Sequence, residues 1–475
     1  MNKRKIIIIG AGIAGLSAGC YGQMNGYETE IFEMHNIPGG LCTSWTRKGY
    51  TFDGCIHFLM GTNQNSWLNH FWKTVGAIQG NENEIINPEV YMQIDGELGK
   101  KLILYSDINK LEKHMLGLSF EDSSLILELT DAIRNFSLTN TPADSSKVSR
   151  LRKISMQEFS REFKDPFLRE SLAVFKDMQF FLSTMSAYNN SDAGWPTGGS
   201  LEFAKRLGKR YLDLGGRISY KAKVEEIIVK DDHAIGIKLS EGSVFTGDIV
   251  ISAANGYSTI FSMLQGKYTN DEIISLYTEG KTYPTSVQIS LGINCDLSKE
   301  AYNLYFKTHT PIEVLGEDKT HLFIKNYSFD KTMCPSGKSI VTTTITSNYE
   351  YWERLGRGSA AYNAEKVKIA DVFVKALEEK FPQIKGKVEV IDVATPLTYA
   401  RYTDAWKGAY MGWLSTPERP ISNVPSTLPR LEDFYMTGQW TYSRGGLPTA
   451  LMTARGSLIK ICSEDGKKFI DTLDS

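Results

Sequence analysis

Ile6-Ile7-Ile8-Ile9 runs directly into Gly10-Ala11-Gly12-Ile13-Ala14-Gly15, and the reading of this stretch decides the fold. Four isoleucines are too few to cross a membrane and suit a strand covered on both faces. Leu16-Ser17-Ala18-Gly19-Cys20 continues as a small-residue helix, and Thr29-Glu30-Ile31-Phe32-Glu33 reads as a second strand closed by an acid. Each glycine has a job. Gly10 permits the tight turn, Gly12 lets backbone amides approach a pyrophosphate, and Gly15 lets the helix pack close to the strand. The helix start at Ile13 and Ala14 offers free N–H groups and a partial positive charge to phosphates. Glu33 follows at close to the roughly 20-residue spacing of a ribose-binding acid. A carboxylate there accepts hydrogen bonds from ribose hydroxyls and repels a 2′-phosphate, so FAD or NAD fits better than NADP.

The totals bound the rest. A chain of 475 residues is long enough for about three domains' worth of core. Its net charge of −2 gives no pull toward nucleic acid. Six cysteines are scattered without a CxxC pair, which reads as reduced thiols in a cytoplasmic protein and excludes a zinc site or a disulfide frame. Lys3-Arg4-Lys5 before the isoleucines is no signal peptide, because the glycine turn breaks the apolar run. No stretch reaches 18 apolar residues, so no span is expected, while peripheral membrane contact stays open.

Past Glu33, Pro38-Gly39-Gly40-Leu41-Cys42-Thr43 makes a second close-approach loop, and Gly49-Tyr50-Thr51-Phe52-Asp53-Gly54-Cys55-Ile56-His57 follows it. This arrangement resembles the flavin-dependent amine oxidase superfamily. Within it the chain is most similar to the branch of phytoene desaturases, carotenoid isomerases and retinol saturases. Amine oxidases usually carry Arg after the double glycine, and Leu41 stands there instead. Two later passages carry the same resemblance. One runs from Gly194-Trp195-Pro196-Thr197-Gly198-Gly199-Ser200 through Val224 to Ser252-Ala253-Ala254. The other runs from Gly438-Gln439-Trp440 to Gly445-Gly446-Leu447-Pro448-Thr449-Ala450.

The resemblance implies one FAD, held by Gly10, Gly12, Ile13, Ala14, Gly15, Glu33, Gly39, Gly40, Leu41, Thr43, Val224, Ala253, Gly438, Gly446, Leu447 and Ala450. The backbone at Val224 would face the adenine. The helix beginning at Leu447 would stabilise negative charge on the reduced flavin. Relatives often have Pro-Gly-Gly-Gly here, whereas this chain has Arg444 before Gly445, a positive charge beside the cofactor or a tunnel mouth. The expected fold is α/β: a Rossmann-type FAD-binding domain, discontinuous in sequence, with a mixed-sheet substrate domain and a helical cap. Residues 1–76, 215–275 and 430–475 would form the first, 77–214 the substrate and cap region, and 276–429 the substrate domain. Gly356-Arg357-Gly358 precedes no strand–helix unit and is not a second dinucleotide site.

The expected activity is FAD-dependent oxidoreduction or isomerisation at C–C or C=C bonds of a lipophilic polyene or isoprenoid, by hydride exchange with the flavin. A flavin amine oxidase and a non-catalytic flavin-binding redox sensor are the competing readings. Acid–base candidates are Asp53 and His57 after the double-glycine loop, and Tyr402 and Tyr442, with Arg401, in the C-terminal part. Each also has an ordinary reading: a turn anchor for Asp53, a hydrogen-bonded structural imidazole for His57, packing aromatics for the tyrosines. No metal is expected, and no donor or acceptor for the flavin electrons is identified.

Overall fold

The computed structural model describes residues 3–81, 84–136, 150–314, 316–416, 419–421, 424–443 and 445–472. Arg444, singled out above for its charge, lies outside them.

The isoleucine run forms the strand Lys5–Ile9 at the centre of a five-stranded parallel sheet. Glu28–Glu33 and then Arg217–Tyr220 lie on one side of it, Ile249–Ser252 and then Phe434–Met436 on the other. The sheet therefore draws on three separated parts of the chain. Alternation sorts the isoleucines into two cores. Ile6 and Ile8 join the side chains of the helices Ile13–Met24 and Leu447–Glu464, while Ile7 and Ile9 pack with the three-stranded layer that carries Ile227, Ile237 and Leu239. All four are buried. Each such isoleucine is worth about 1.5–3 kcal/mol of apolar burial.

A second sheet has seven strands in the order Val388–Ala394, Thr285–Ile293, Ser339–Ser347, Glu317–Asn326, Asn303–Val314, Val90–Asp95, Lys101–Tyr105. Its pairings are antiparallel except that of Asn303–Val314 with Val90–Asp95, so the sheet is mixed. The helix Ala360–Lys380 covers one face through Ile369, Phe373 and Leu377. Helices between Ile108 and Asn189 form the expected helical layer, whose apolar core they share with Met92, Ile94, Leu102 and Leu104 of the last two strands.

The helix Gly199–Asp213, grouped with the cap by sequence, packs instead on Ile13–Met24, where the Tyr211 ring sits over Gly19. The Tyr211 hydroxyl donates to the Thr29 carbonyl at 2.9 Å, and the Arg217 amide donates to that hydroxyl at 3.2 Å. These contacts tie the helix Gly199–Asp213 to the dinucleotide-binding layer. Among the described residues no helix is long and apolar enough to cross a membrane.

Candidate active site

The first half of the site is a glycine cradle. Its three glycines are required for three different reasons. Gly10 has φ +96°, which only glycine adopts easily. A Cβ on Gly15 would stand 1.9 Å from the Gly10 carbonyl oxygen, so helix and strand could not approach. Gly12 has an ordinary backbone, and a Cβ there would meet nothing closer than the Gly39 carbonyl oxygen at 3.9 Å. The fold would accept a side chain at Gly12. What a side chain would occupy is the open space before the helix Ile13–Met24, whose N-cap is Gly12 itself and has no side-chain cap. The amides of Ile13, Ala14 and Gly15 belong to that first turn. The residues present therefore fit a pyrophosphate.

The rest of the cradle closes around this point. Gly39 bridges to Gly12, and its amide donates to the Ala11 carbonyl at 2.8 Å. The Cys42 amide donates to Gly39, and that of Thr43 to Leu41, so the second loop curls back on itself. Ala253 lies against Gly10 and Gly15. Gly438 touches Ala14, and Gly446 is the N-cap of Leu447–Glu464, again without a side-chain cap, with the Ala450 amide donating to its carbonyl. Lys221 and Ala222 donate to the carbonyls of His35 and Glu33, which brings the strand beginning at Val224 beside the acid. Positions expected to hold the cofactor, spread over more than 400 residues, thus stand together.

Glu33 is more occupied than expected. Its carboxylate accepts from the Ala11 amide at 2.6 Å and the His35 amide at 2.8 Å. Burial raises its pKa, and the two amides work against that rise. Each oxygen keeps one further lone pair for a ribose hydroxyl.

The second half is a buried polar cavity of about 100 Å³ reached along the same loop. The Gly54 amide donates to the Thr43 carbonyl, so Asp53-Gly54-Cys55 leads directly off the glycine loop into the cavity wall. Asp53 is 2% exposed and accepts four hydrogen bonds: from the Ser200 amide and hydroxyl at 2.6 and 2.7 Å, and from the Cys55 and Ile56 amides at 3.1 Å. It anchors the loop to the helix Gly199–Asp213. Gln288 donates to the Asp53 carbonyl at 2.7 Å and to Ser290, which also accepts from Thr342.

His57 is surrounded by protein yet its side chain is accessible, because it faces the interior space rather than bulk solvent. It lines both this cavity and a narrower gap walled by Phe58, Tyr188, Trp195, Tyr302 and Phe329. The Lys325 charge and burial hold its pKa down at about 3, so the imidazole is neutral at ordinary pH.

Lys325 escaped the sequence reading. It sits on the strand Glu317–Asn326, is 4% exposed, and lies among described residues with no carboxylate in ion-pair contact. Its Nζ donates to the Tyr302 hydroxyl at 2.9 Å and the His57 carbonyl at 3.2 Å, and stands 4.9 Å from the centre of the Tyr302 ring. The Tyr302 hydroxyl itself donates to the His57 carbonyl at 2.6 Å. Burial lowers the Lys325 pKa to about 7, against the opposing charges of Asp53 and Cys55. A lysine between Ile324 and Asn326 reads as an ordinary strand residue; only the sheet register, which sets it opposite Asn303 and Thr342, turns it inward.

The two C-terminal tyrosines do not join this group. Tyr402 is exposed and meets the His35 ring edge-on at 5.2 Å, with the Arg401 guanidinium over its own ring. Tyr442 is exposed beside Trp440 and Ser443. Neither lines the cavity. No cluster of metal-ligating side chains occurs among the described residues.

Residues 8–75 match the model of an NAD(P)-binding Rossmann-like domain. Prolycopene isomerase from Daucus carota is 24% identical over 93% of this chain and 77% of its own length. A lycopene-forming phytoene desaturase from Pseudescherichia vulneris is 21% identical over 96% of this chain and 98% of its own. Among solved structures, an oxidoreductase from Methanosarcina mazei superposes with a TM-score of 0.63 at 19% identity, covering 95% of this chain and all of that one. The fold recurs in the solved structure, and the relatives carry the names of the branch that the three glycine-rich passages resemble.

Proposed function

We propose that the chain is an FAD-dependent enzyme that exchanges hydride with carbon–carbon bonds of a lipophilic polyene or isoprenoid. The observation that carries this reading is one chain of contacts: the loop Gly39–Thr43 is hydrogen-bonded back to Ala11 beside the open space at Gly12, and Thr43 in turn accepts from Gly54, whose neighbours Asp53, Cys55 and His57 wall the cavity. Two helix N-termini without side-chain caps, at Gly12 and Gly446, stand at the glycine end of this chain of contacts, and Gly438 lies against Ala14 beside them. An apolar substrate belongs at the other. Bound FAD would supply the hydride chemistry. The chain's own residues bind the dinucleotide, exclude water with rings, and hold His57 neutral beside the reacting space.

The carotenoid isomerase and desaturase relatives support a polyene substrate. The amine oxidase reading loses ground for a physical reason: a cationic amine would enter a cavity that already holds the Lys325 ammonium, at a cost in a low-dielectric interior. Supply of such a substrate from a lipid surface belongs to the same proposal, and flotation with liposomes tests it.

Purified protein is expected to be yellow, with flavin absorbance. Anaerobic incubation with a lipid extract, followed by flavin spectra and product masses, separates the reactions. A loss of about two daltons marks desaturation, a gain saturation, and an unchanged mass isomerisation. A folded, colourless protein that ignores added FAD would sink the proposal.

A further inference from the structure

Lys325 is an unusual object for an enzyme acting on hydrocarbon. A buried ammonium is retained at a cost unless something pairs with it. Here two of its three donors go to neutral oxygens, those of Tyr302 and His57. The nearest acid, Asp53, acts on Lys325 only at a distance: its carboxylate is turned to Ser200, Cys55 and Ile56 and makes no hydrogen bond to the ammonium. The remaining valence of Lys325 opens on a cavity of about 100 Å³, lined further by Gln288, Thr342 and Thr344. That space holds several waters or a compact polar group, and is too small for a polyene chain. The adjoining gap, which shares His57, has rings for walls and only about 10 Å³ between them, so an apolar tail has to part them.

We propose that this cavity binds the carboxylate end of an apolar, conjugated substrate, with Lys325 as its counter-ion and the aromatic gap as the seat of its tail. The inference rests on the polyene reading above and narrows it to acidic polyenes. The carboxylate would complete the hydrogen bonds of Lys325, accept from Thr344, and replace waters that an all-carbon end group could only displace. The substrate's length beyond the carboxylate then fixes which bond reaches the flavin.

Retinoic acid and methyl retinoate make a matched pair, equal in carbon skeleton and differing in charge. Binding of each to the FAD-loaded protein is followed by quenching of tryptophan fluorescence, to which Trp195 in the gap wall contributes. The acid is expected to bind about tenfold tighter than the ester or better, the worth of a hydrogen bond to a charged group. Lys325→Met should erase that difference by weakening the acid alone. The groups facing Lys325 are Asp53, Cys55, His57, Tyr302 and Tyr327. As pH rises and Lys325 loses its proton, acid binding should fall while ester binding stays level. Equal binding of acid and ester, or a gap that survives in Lys325→Met, overturns the inference and leaves the polyene reading standing. Failure of both probes to bind a protein that keeps its FAD overturns both.

Discussion

Two glycines four ångströms and less from their neighbours have opposite futures when substituted. Gly12→Val places its side chain in open space, so the protein should fold with a melting temperature near that of the wild type yet purify without flavin. Gly15→Ala drives a methyl into the Gly10 carbonyl oxygen and should cost about 3 kcal/mol or more, with loss of soluble protein. Absorbance at purification and a thermal melt distinguish the two. Lys325 makes the converse case, a residue whose removal should stabilise. Its folded pKa is near 7 against an ordinary value of 10.5. Between those values the unfolded chain binds more protons than the native one, so stability rises with pH across that window, and below about pH 7 the whole penalty is felt. Lys325→Met should therefore be more stable than wild type at pH 6–7, by on the order of a few kcal/mol, with the gap closing toward pH 10. Paired melts over that range check it; a constant gap would contradict it. Gly12 was legible in the sequence because its motif is local. Lys325 was not, because what makes it unusual is the company of Asp53, His57 and Tyr302, none of them near it in sequence.

Elements carry the geometry that single residues cannot. The loop Asp53–His57 reaches the cavity only because the N-terminus of the helix Gly199–Asp213 holds it. Ser200 is the pin: its hydroxyl donates to Asp53 at 2.7 Å and accepts from the Ile56 amide at 2.8 Å. Ser200→Ala should cost about 1–2 kcal/mol and, by loosening His57, weaken substrate binding more than it weakens flavin binding. Titration of the variant with FAD and with a polyene ligand separates the two effects; equal losses would argue against a pin. The expected domain boundary at residue 214 groups this helix with the cap region. Its attachment depends on Tyr211 reaching over Gly19 to Thr29, a tertiary contact that helical periodicity does not encode. Asp53 shows the same limit from the other side: an acid next to a glycine loop suggests chemistry until its four donors are seen. The strand–turn–helix–strand unit and the mixed sheet were readable, because alternation and glycine punctuation are properties of contiguous sequence.

At the scale of the whole molecule, the dinucleotide cradle has no single owner. Lys5–Ile9 is flanked on one side by Ile249–Ser252 and beyond it by Phe434–Met436, and the helix Leu447–Glu464 packs on Ile13–Met24. No segment of the three can leave without stripping a neighbour of its hydrogen bonds and exposing a face of the isoleucine strand. Opening of the cradle is therefore one event, whereas the cap helices belong to a different core, shared with the strands Val90–Asp95 and Lys101–Tyr105. A ligand bound across such a cradle stabilises all of its parts by the same amount, about 2.7 kcal/mol when present at a hundred times its dissociation constant. Hydrogen exchange read by peptide mass should give the amides of Ile7–Ile9, Val250–Ser252 and Tyr435–Met436 a common opening free energy in the apoprotein. Added FAD should raise all three by one increment, while the helices Ile108–Leu118 and Ser123–Arg134 of the cap move less. Protection confined to Ile7–Ile9 would mean that the first segment binds the dinucleotide alone, and that the C-terminal strand and helix serve the fold without closing the site.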